Sequence, residues 1–182
     1  MLIRATVTGD AEAIARVHID TWRHTYAGVM PAEYLAGLRY DRSRRGWESF
    51  LVREGVRVFV ADDPEAGVVG FASAGPNTST GDEGGERPAY ESNLYAIYVL
   101  PGWQRRGIGR ALATAAVRGL LVDGRKSMIV WVLKGNPACG FYERLGGTPA
   151  GKRKETIGGA ELEVIAYGWP ELCRSPLAGT GQ

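Results

Sequence analysis

The residues best equipped for chemistry lie between Gln104 and Arg110. Gln104-Arg105-Arg106-Gly107-Ile108-Gly109 follows an apolar strand that ends at Leu100-Pro101, and it opens an amphipathic helix. The first N–H groups of a helix have no intrahelical acceptor, and the helix dipole places partial positive charge there. Gly107 and Gly109 remove side chains, so a pyrophosphate can approach the backbone. Arg105, Arg106 and Arg110 add full charges. The chemistry such a stretch supports is phosphate binding. The alternative is a helix start that happens to carry glycine and arginine.

Spacing excludes two other phosphate loops. A dinucleotide fingerprint needs a third glycine where Leu112 and Ala113 stand, and no lysine follows these glycines as a Walker loop requires. What remains is Q-x-x-G-x-G directly after a strand ending Tyr98-Val99. This resembles the acyl-coenzyme A loop of the GNAT superfamily of N-acetyltransferases. Downstream, Asn136-Pro137-Ala138-Cys139-Gly140-Phe141-Tyr142-Glu143-Arg144-Leu145-Gly146 is similar to the segment in which an asparagine precedes F-Y-E-x-L-G in that family. Two motifs in the right order are far more specific than either alone.

The resemblance implies roles. Gln104 to Arg110, Ile108 and Gly109 included, would hold the pyrophosphate of acetyl-coenzyme A (acetyl-CoA), the co-substrate, with no metal. Backbone N–H groups around Ile97, Tyr98 and Val99 would pair with the pantetheine arm and polarise the thioester. Asn136 would bond the same arm; on its own chemistry it also reads as a helix cap. Tyr142 occupies the general-acid position and would protonate the departing thiolate; its own alternative is a packing tyrosine at a helix end. Many relatives carry a glutamate on the central strand where Asn93 stands here. An amide takes no proton at neutral pH, so Glu91, roughly 7 Å back along the strand, becomes the candidate base, acting through water. Bulk water is the other way to remove the amine's proton.

The acceptor side rests on Trp22 and Tyr26, four apart and therefore on one helix face. They read equally as core. Thr21 to Pro31 resembles a W-x-x-x-Y-x-G-x-x-P segment whose helices wall the acceptor site in many GNAT proteins; Asn93 and Tyr95 would face it from the strand. His18 and His24 point in different directions and suit no shared metal, and each is expected partly exposed or hydrogen-bonded.

The elements that must position these residues follow from periodicity and punctuation. Leu2–Thr6 reads as a strand, residues 10–27 as a helix, Pro31–Leu38 and Asp41–Glu54 as two more. Val56–Asp62 and Gly67–Ala74 read as a strand pair. Pro76 to Pro88, with Asp82, Glu83 and Glu86, reads as a long exposed loop. Glu91–Val99 is a strand with Glu91, Asn93, Tyr95, Ile97 and Val99 on one face. A helix from Ile108 carries Leu112, Ala116 and Leu120 inward. The apolar run Ser127–Leu133 suits a strand buried on both faces, parallel to the one before. A helix over Asn136–Arg144 and a hairpin across Gly158-Gly159, from Thr148 to Trp169, complete the chain.

The expected fold is thus α/β (α+β) of GNAT type: a mixed, mostly antiparallel central sheet flanked by helices. It is expected as one domain over residues 1–170, with a frayed tail at 171–182. Composition agrees with a globular protein, at 45% hydrophobic and 23% charged residues. A net charge of +2 offers no broad basic field for nucleic acid. Two distant cysteines make neither a disulfide framework nor a metal pair. With no signal peptide and no bilayer-spanning run read in the sequence, a cytoplasmic protein with no membrane partner is expected; a homodimer through the C-terminal hairpin is a further possibility. The expected function is acetyl transfer to a primary amine of a small molecule. The alternatives are acetylation of a protein N-terminus or lysine, and a non-catalytic acyl-CoA-binding module.

Overall fold

A computed structural model describes residues 1–78 and 90–179. Seven strands form one sheet in the order β1-β2-β3-β4-β5-β7-β6. They are β1 (Leu2–Ala5), β2 (Arg57–Asp63), β3 (Gly67–Pro76), β4 (Ser92–Val99), β5 (Met128–Leu133), β6 (Thr148–Ile157) and β7 (Ala160–Trp169). Every neighbouring pair is antiparallel except β4 and β5. The mixed, mostly antiparallel sheet is the one expected from the sequence.

Helices cover both faces. On one side α4 (Ile108–Val122) lays Leu112, Ala116 and Leu120, all fully buried, against the sheet. Ala113 and Ala116 keep that approach close. On the other side α1 (Ala11–Thr25) buries Ile14 and Val17 against Val60 and Phe71. Next to it lie α2 (Ala32–Ala36) and α3 (Tyr40–Leu51), whose Trp47 and Phe50 complete that core. Gly158 and Gly159 turn the β6–β7 hairpin at φ 60° and 81°, values that glycine adopts without strain.

Two expectations need correction. The helix expected over Asn136–Arg144 is shorter: α5 spans Cys139–Arg144. Asn136 Oδ1 accepts the Ala138 N–H at 2.8 Å, a local turn that competes with helix at residues 136–138. The C-terminal segment is not frayed as far as Gly179. Leu172 and Leu177 are fully buried in the α4-side core, and the Leu172 N–H donates to Lys126 O at 2.7 Å. Apolar burial at two positions outweighs the polar, glycine-rich composition around them. The loop assigned to Pro76–Pro88, with Asp82, Glu83 and Glu86, lies almost wholly outside the described residues.

Candidate active site

The site begins where two strands part. β4 and β5 pair in parallel only at Ser92/Met128 and Asn93/Ile129. Beyond that point β4 stays with β3 and β5 stays with β7, so among the described residues β4 from Leu94 to Val99 has no strand partner on its β5 side. A bulge helps to open this fork. Ala74 pairs with Leu94 and Ser73 with Ala96, which leaves Tyr95 as an extra residue. The bulge also resets side-chain direction. Leu94, Ile97 and Val99 all pack on the α4 side, whereas Ala96 and Tyr98 pack on the α1 side. The single face expected for Glu91, Asn93, Tyr95, Ile97 and Val99 is therefore broken at Tyr95, because strict alternation does not survive an inserted residue.

At the open end of the fork β4 leads into α4. Gln104 Nε2 donates to Val99 O at 2.9 Å and ties the loop to the end of the strand. Arg105 and Gly107 have positive φ, 62° and 80°. The first helical hydrogen bond runs from Ala111 N–H to Gly107 O, so the earlier N–H groups of Ile108, Gly109 and Arg110 lack helical acceptors. A Cβ on Gly107 would meet nothing within 4 Å. A Cβ on Gly109 would lie 3.2 Å from the Phe141 ring. Only Gly107 therefore leaves open space; Gly109 lets α5 approach α4, a packing reason that the sequence reading had not given it. Arg105 and Arg110 are exposed and have no ion pair among the described residues. Arg106 lies over the Trp103 ring at 5.0 Å.

Phe141 is followed by Tyr142, which is buried in the core on the α4 side. Tyr142 is 5% exposed and packs against Tyr167 and Trp169 at ring separations of 5.9 and 6.5 Å. Asn136 Nδ2 donates to Tyr26 Oη at 3.1 Å, joining the lead-in of α5 to the end of α1. The Tyr26 and Tyr98 hydroxyls lie within hydrogen-bonding reach of each other. Burial raises the pKa of Tyr142, Tyr98 and Tyr26. For Tyr142 the nearby Tyr26 and Cys139 add to the effect of burial. A phenol in this setting is fully protonated at neutral pH and can donate but not accept a proton.

On the α1 side the rings make a continuous wall. Trp22 meets Tyr26 edge-on at 5.3 Å and His18 edge-on at 5.0 Å, and His18 stacks on Tyr98 at 5.4 Å. Arg23 fixes α2 to α1 through Leu35 O and Leu38 O at 3.2 and 2.8 Å. Between α1, α2 and the start of α3 lies a cleft of about 540 Å³. His18 was expected to be partly exposed or hydrogen-bonded. The residue is partly exposed, as expected, but its Nδ1 is buried without a partner among the described residues, and burial pushes its pKa down to about 4. His18 and Tyr34, which also lines the cleft, were not foreseen as site residues. The signal was present for His18: it precedes Trp22 by four, on the same helical stripe.

Other expected residues are placed apart from this wall. Tyr95 packs on Phe50 at 5.7 Å and donates to Pro76 O at 2.5 Å, towards the far end of α3. Asn93 sits at the apex of the fork, in the last parallel pair. Glu91 lies behind the apex. Its N–H donates to Ser127 Oγ at 2.9 Å and its Oε2 accepts the Lys126 N–H at 2.7 Å, so it clamps the closed end. The expected base, Glu91, is thus placed at the closed end of the fork, with its carboxylate on the Lys126 N–H.

Among the described residues no cluster of three or more His, Cys, Asp or Glu side chains suits a metal ion, and no helix is long and apolar enough to cross a membrane. Residues 69–156 match the family described as FR47-like protein. An uncharacterised N-acetyltransferase of Bacillus subtilis, YuaI, is 39% identical over 93% of both chains. The ribosomal-protein-alanine N-acetyltransferase of Brucella melitensis superposes with a TM-score of 0.70 at 25% identity, over 93% of this chain and 99% of that one. The PaiA N-acetyltransferase of Thermoplasma acidophilum, solved with coenzyme A, gives 0.66 at 18% identity over 92% and 98%. Forked sheet, glycine-led helix and full-length similarity converge: this chain belongs to the GNAT superfamily of N-acetyltransferases and is an acyltransferase.

Proposed function

We propose that the protein transfers the acetyl group of acetyl-CoA to the primary amine of a small molecule. The observation that carries this reading is the β4–β5 fork, with free helical N–H groups at its mouth, a buried phenol on its α4 side and a confined aromatic wall beside it. The chain's own features suit the co-substrate. The space at Gly107 and the three exposed arginines match a pyrophosphate. The unpaired β4 edge matches an arm that adds like a strand.

Acetyl-CoA supplies an activated thioester. The N–H groups of Ile108, Gly109 and Arg110, with Arg105 and Arg106, hold its phosphates. Backbone N–H groups near Ile97 and Val99 hold the arm, and one of them stabilises charge on the carbonyl oxygen. Each Asn136 polar atom already has one partner and keeps capacity for a second. As the amine nitrogen bonds to the carbonyl carbon and the C–S bond breaks, Tyr142 gives its proton to sulfur and recovers one from water. The amine's surplus proton leaves through water, because Glu91 is held at the closed end and Asn93 is an amide.

Free-thiol release from acetyl-CoA by the purified protein, against a panel of amines, amino acids and short peptides, tests the reading. Release with small amines is expected. Release with peptides alone would replace the small-molecule acceptor with a protein one. Tight acetyl-CoA binding without release from any acceptor would leave a binding module.

A further inference from the structure

The cleft beside the fork has a base and a rim of different character. His18 and Trp22 line it; among the described residues His18 Nδ1 is shut off from solvent without a hydrogen-bond partner, whereas the Trp22 indole lies within hydrogen-bonding reach of the Tyr98 hydroxyl. Indole nitrogen is a donor only. At the rim stand Arg39 and Arg42 from the start of α3. Arg42 is exposed and makes no hydrogen bond or ion pair among the described residues. Arg39 reaches Asp41 only at 3.9 Å, between two well-exposed side chains, a contact worth little in water. Among the described residues Glu33 is the one carboxylate lining the cleft, against these two guanidinium groups.

This inference rests on the acceptor lying on the α1 side, as proposed above. We infer that the cleft is a carboxylate subsite, and that the acceptor is a primary amine carrying a carboxylate beside an apolar body. Arg42, with Arg39, pairs with the carboxylate in the planar fork geometry that guanidinium offers. Trp22 and Tyr34 cover the apolar part, and the amine is left facing Tyr98 and the fork. A polyamine would bring like charge to both arginines and find a single carboxylate in return.

The test compares leucine, methionine and phenylalanine with their carboxamides, which keep the amine and lose the charge. For the wild-type protein kcat/KM is expected to be at least about tenfold higher for the carboxylates. In Arg42→Gln that preference collapses to within about threefold. Arg45→Gln removes one charge from the outer surface of α3, where Arg45 pairs with Asp41, and retains the preference. Equal rates for acids and amides in the wild type would overturn the inference while leaving the transferase intact. A preference that persists in Arg42→Gln would overturn the assignment of the arginine. Where no amine in the panel is turned over, calorimetry with N-acetyl-leucine and N-acetyl-leucinamide decides. Binding of the acid alone, lost in Arg42→Gln, supports the subsite; equal binding, or binding of neither, overturns it.

Discussion

The two sides of the β4–β5 fork are built from different materials. The α4 side is made of main chain: N–H groups at Ile108, Gly109 and Arg110, and positive φ at Arg105 and Gly107. The α1 side is made of rings, with His18, Trp22, Tyr26 and Tyr98 in mutual contact. A phosphate presents the same geometry in every molecule that carries one, so backbone suffices to bind it. An acceptor varies, and a wall of side chains can be recut without touching the fold. The division thus separates what a whole superfamily shares from what distinguishes one member.

The sharpest way to break the comparison is to put a side chain on the main-chain side. Gly107→Val forces a β-branched residue to φ 80° and fills the one open space, so acetyl-CoA Kd should rise at least about 100-fold in calorimetry. Unchanged affinity would remove the loop from cofactor binding. Next, Tyr142→Phe should lower kcat by about 10–100-fold and leave acetyl-CoA Kd within about twofold. Equal turnover in steady-state kinetics would show that the phenol is only packing.

The ring side is tested by acid. His18 has a folded pKa of about 4 against 6.5 when free, through burial. Its ring meets Trp22, Trp47, Phe71 and Tyr98, none of which carries charge at neutral pH. Between those values the unfolded chain binds the extra proton, so stability is full above pH 6.5 and falls as pH drops towards 4. From pH 7.5 to 5 the wild type should lose about 2 kcal/mol more than His18→Phe in urea unfolding. Parallel losses would mean that the imidazole is solvated. The smallest effect on binding belongs to Gly109→Val. It presses on Phe141 and should lower Tm, costing about 1–3 kcal/mol, while acetyl-CoA Kd changes less than tenfold.

The same division explains what the sequence disclosed. The phosphate loop is six consecutive residues with glycines at fixed offsets, and the helix after it is periodic; both are local patterns. The strands, the hairpin and the flanking helices follow from periodicity and punctuation in the same way. The ring wall draws on α1, α2 and β4, and only packing brings Tyr34 and Tyr98 to Trp22. The bulge at Tyr95 is set by pairing with β3, so no pattern within β4 announces it, and it reverses the faces read from alternation. Where Glu91 would lie relative to the fork was illegible for the same reason: distance along a strand says nothing of which end of the fork is closed. Leu172 and Leu177 were hidden by the proline, glycine and serine around them.

The notch at Gly109 has a bearing on fidelity. Phe141 seats in it, and the adjacent Tyr142 is buried against β7. The ring therefore acts as a gauge block between the helix tip and the phenol, set by solid contact and not by a pliable loop. If the loop grips the phosphates and Tyr142 meets the sulfur, as proposed, a donor whose arm is one methylene longer or shorter would bring its sulfur to the wrong place. With the loop and Tyr142 in their proposed roles, that fixed spacing would select a donor by length before chemistry.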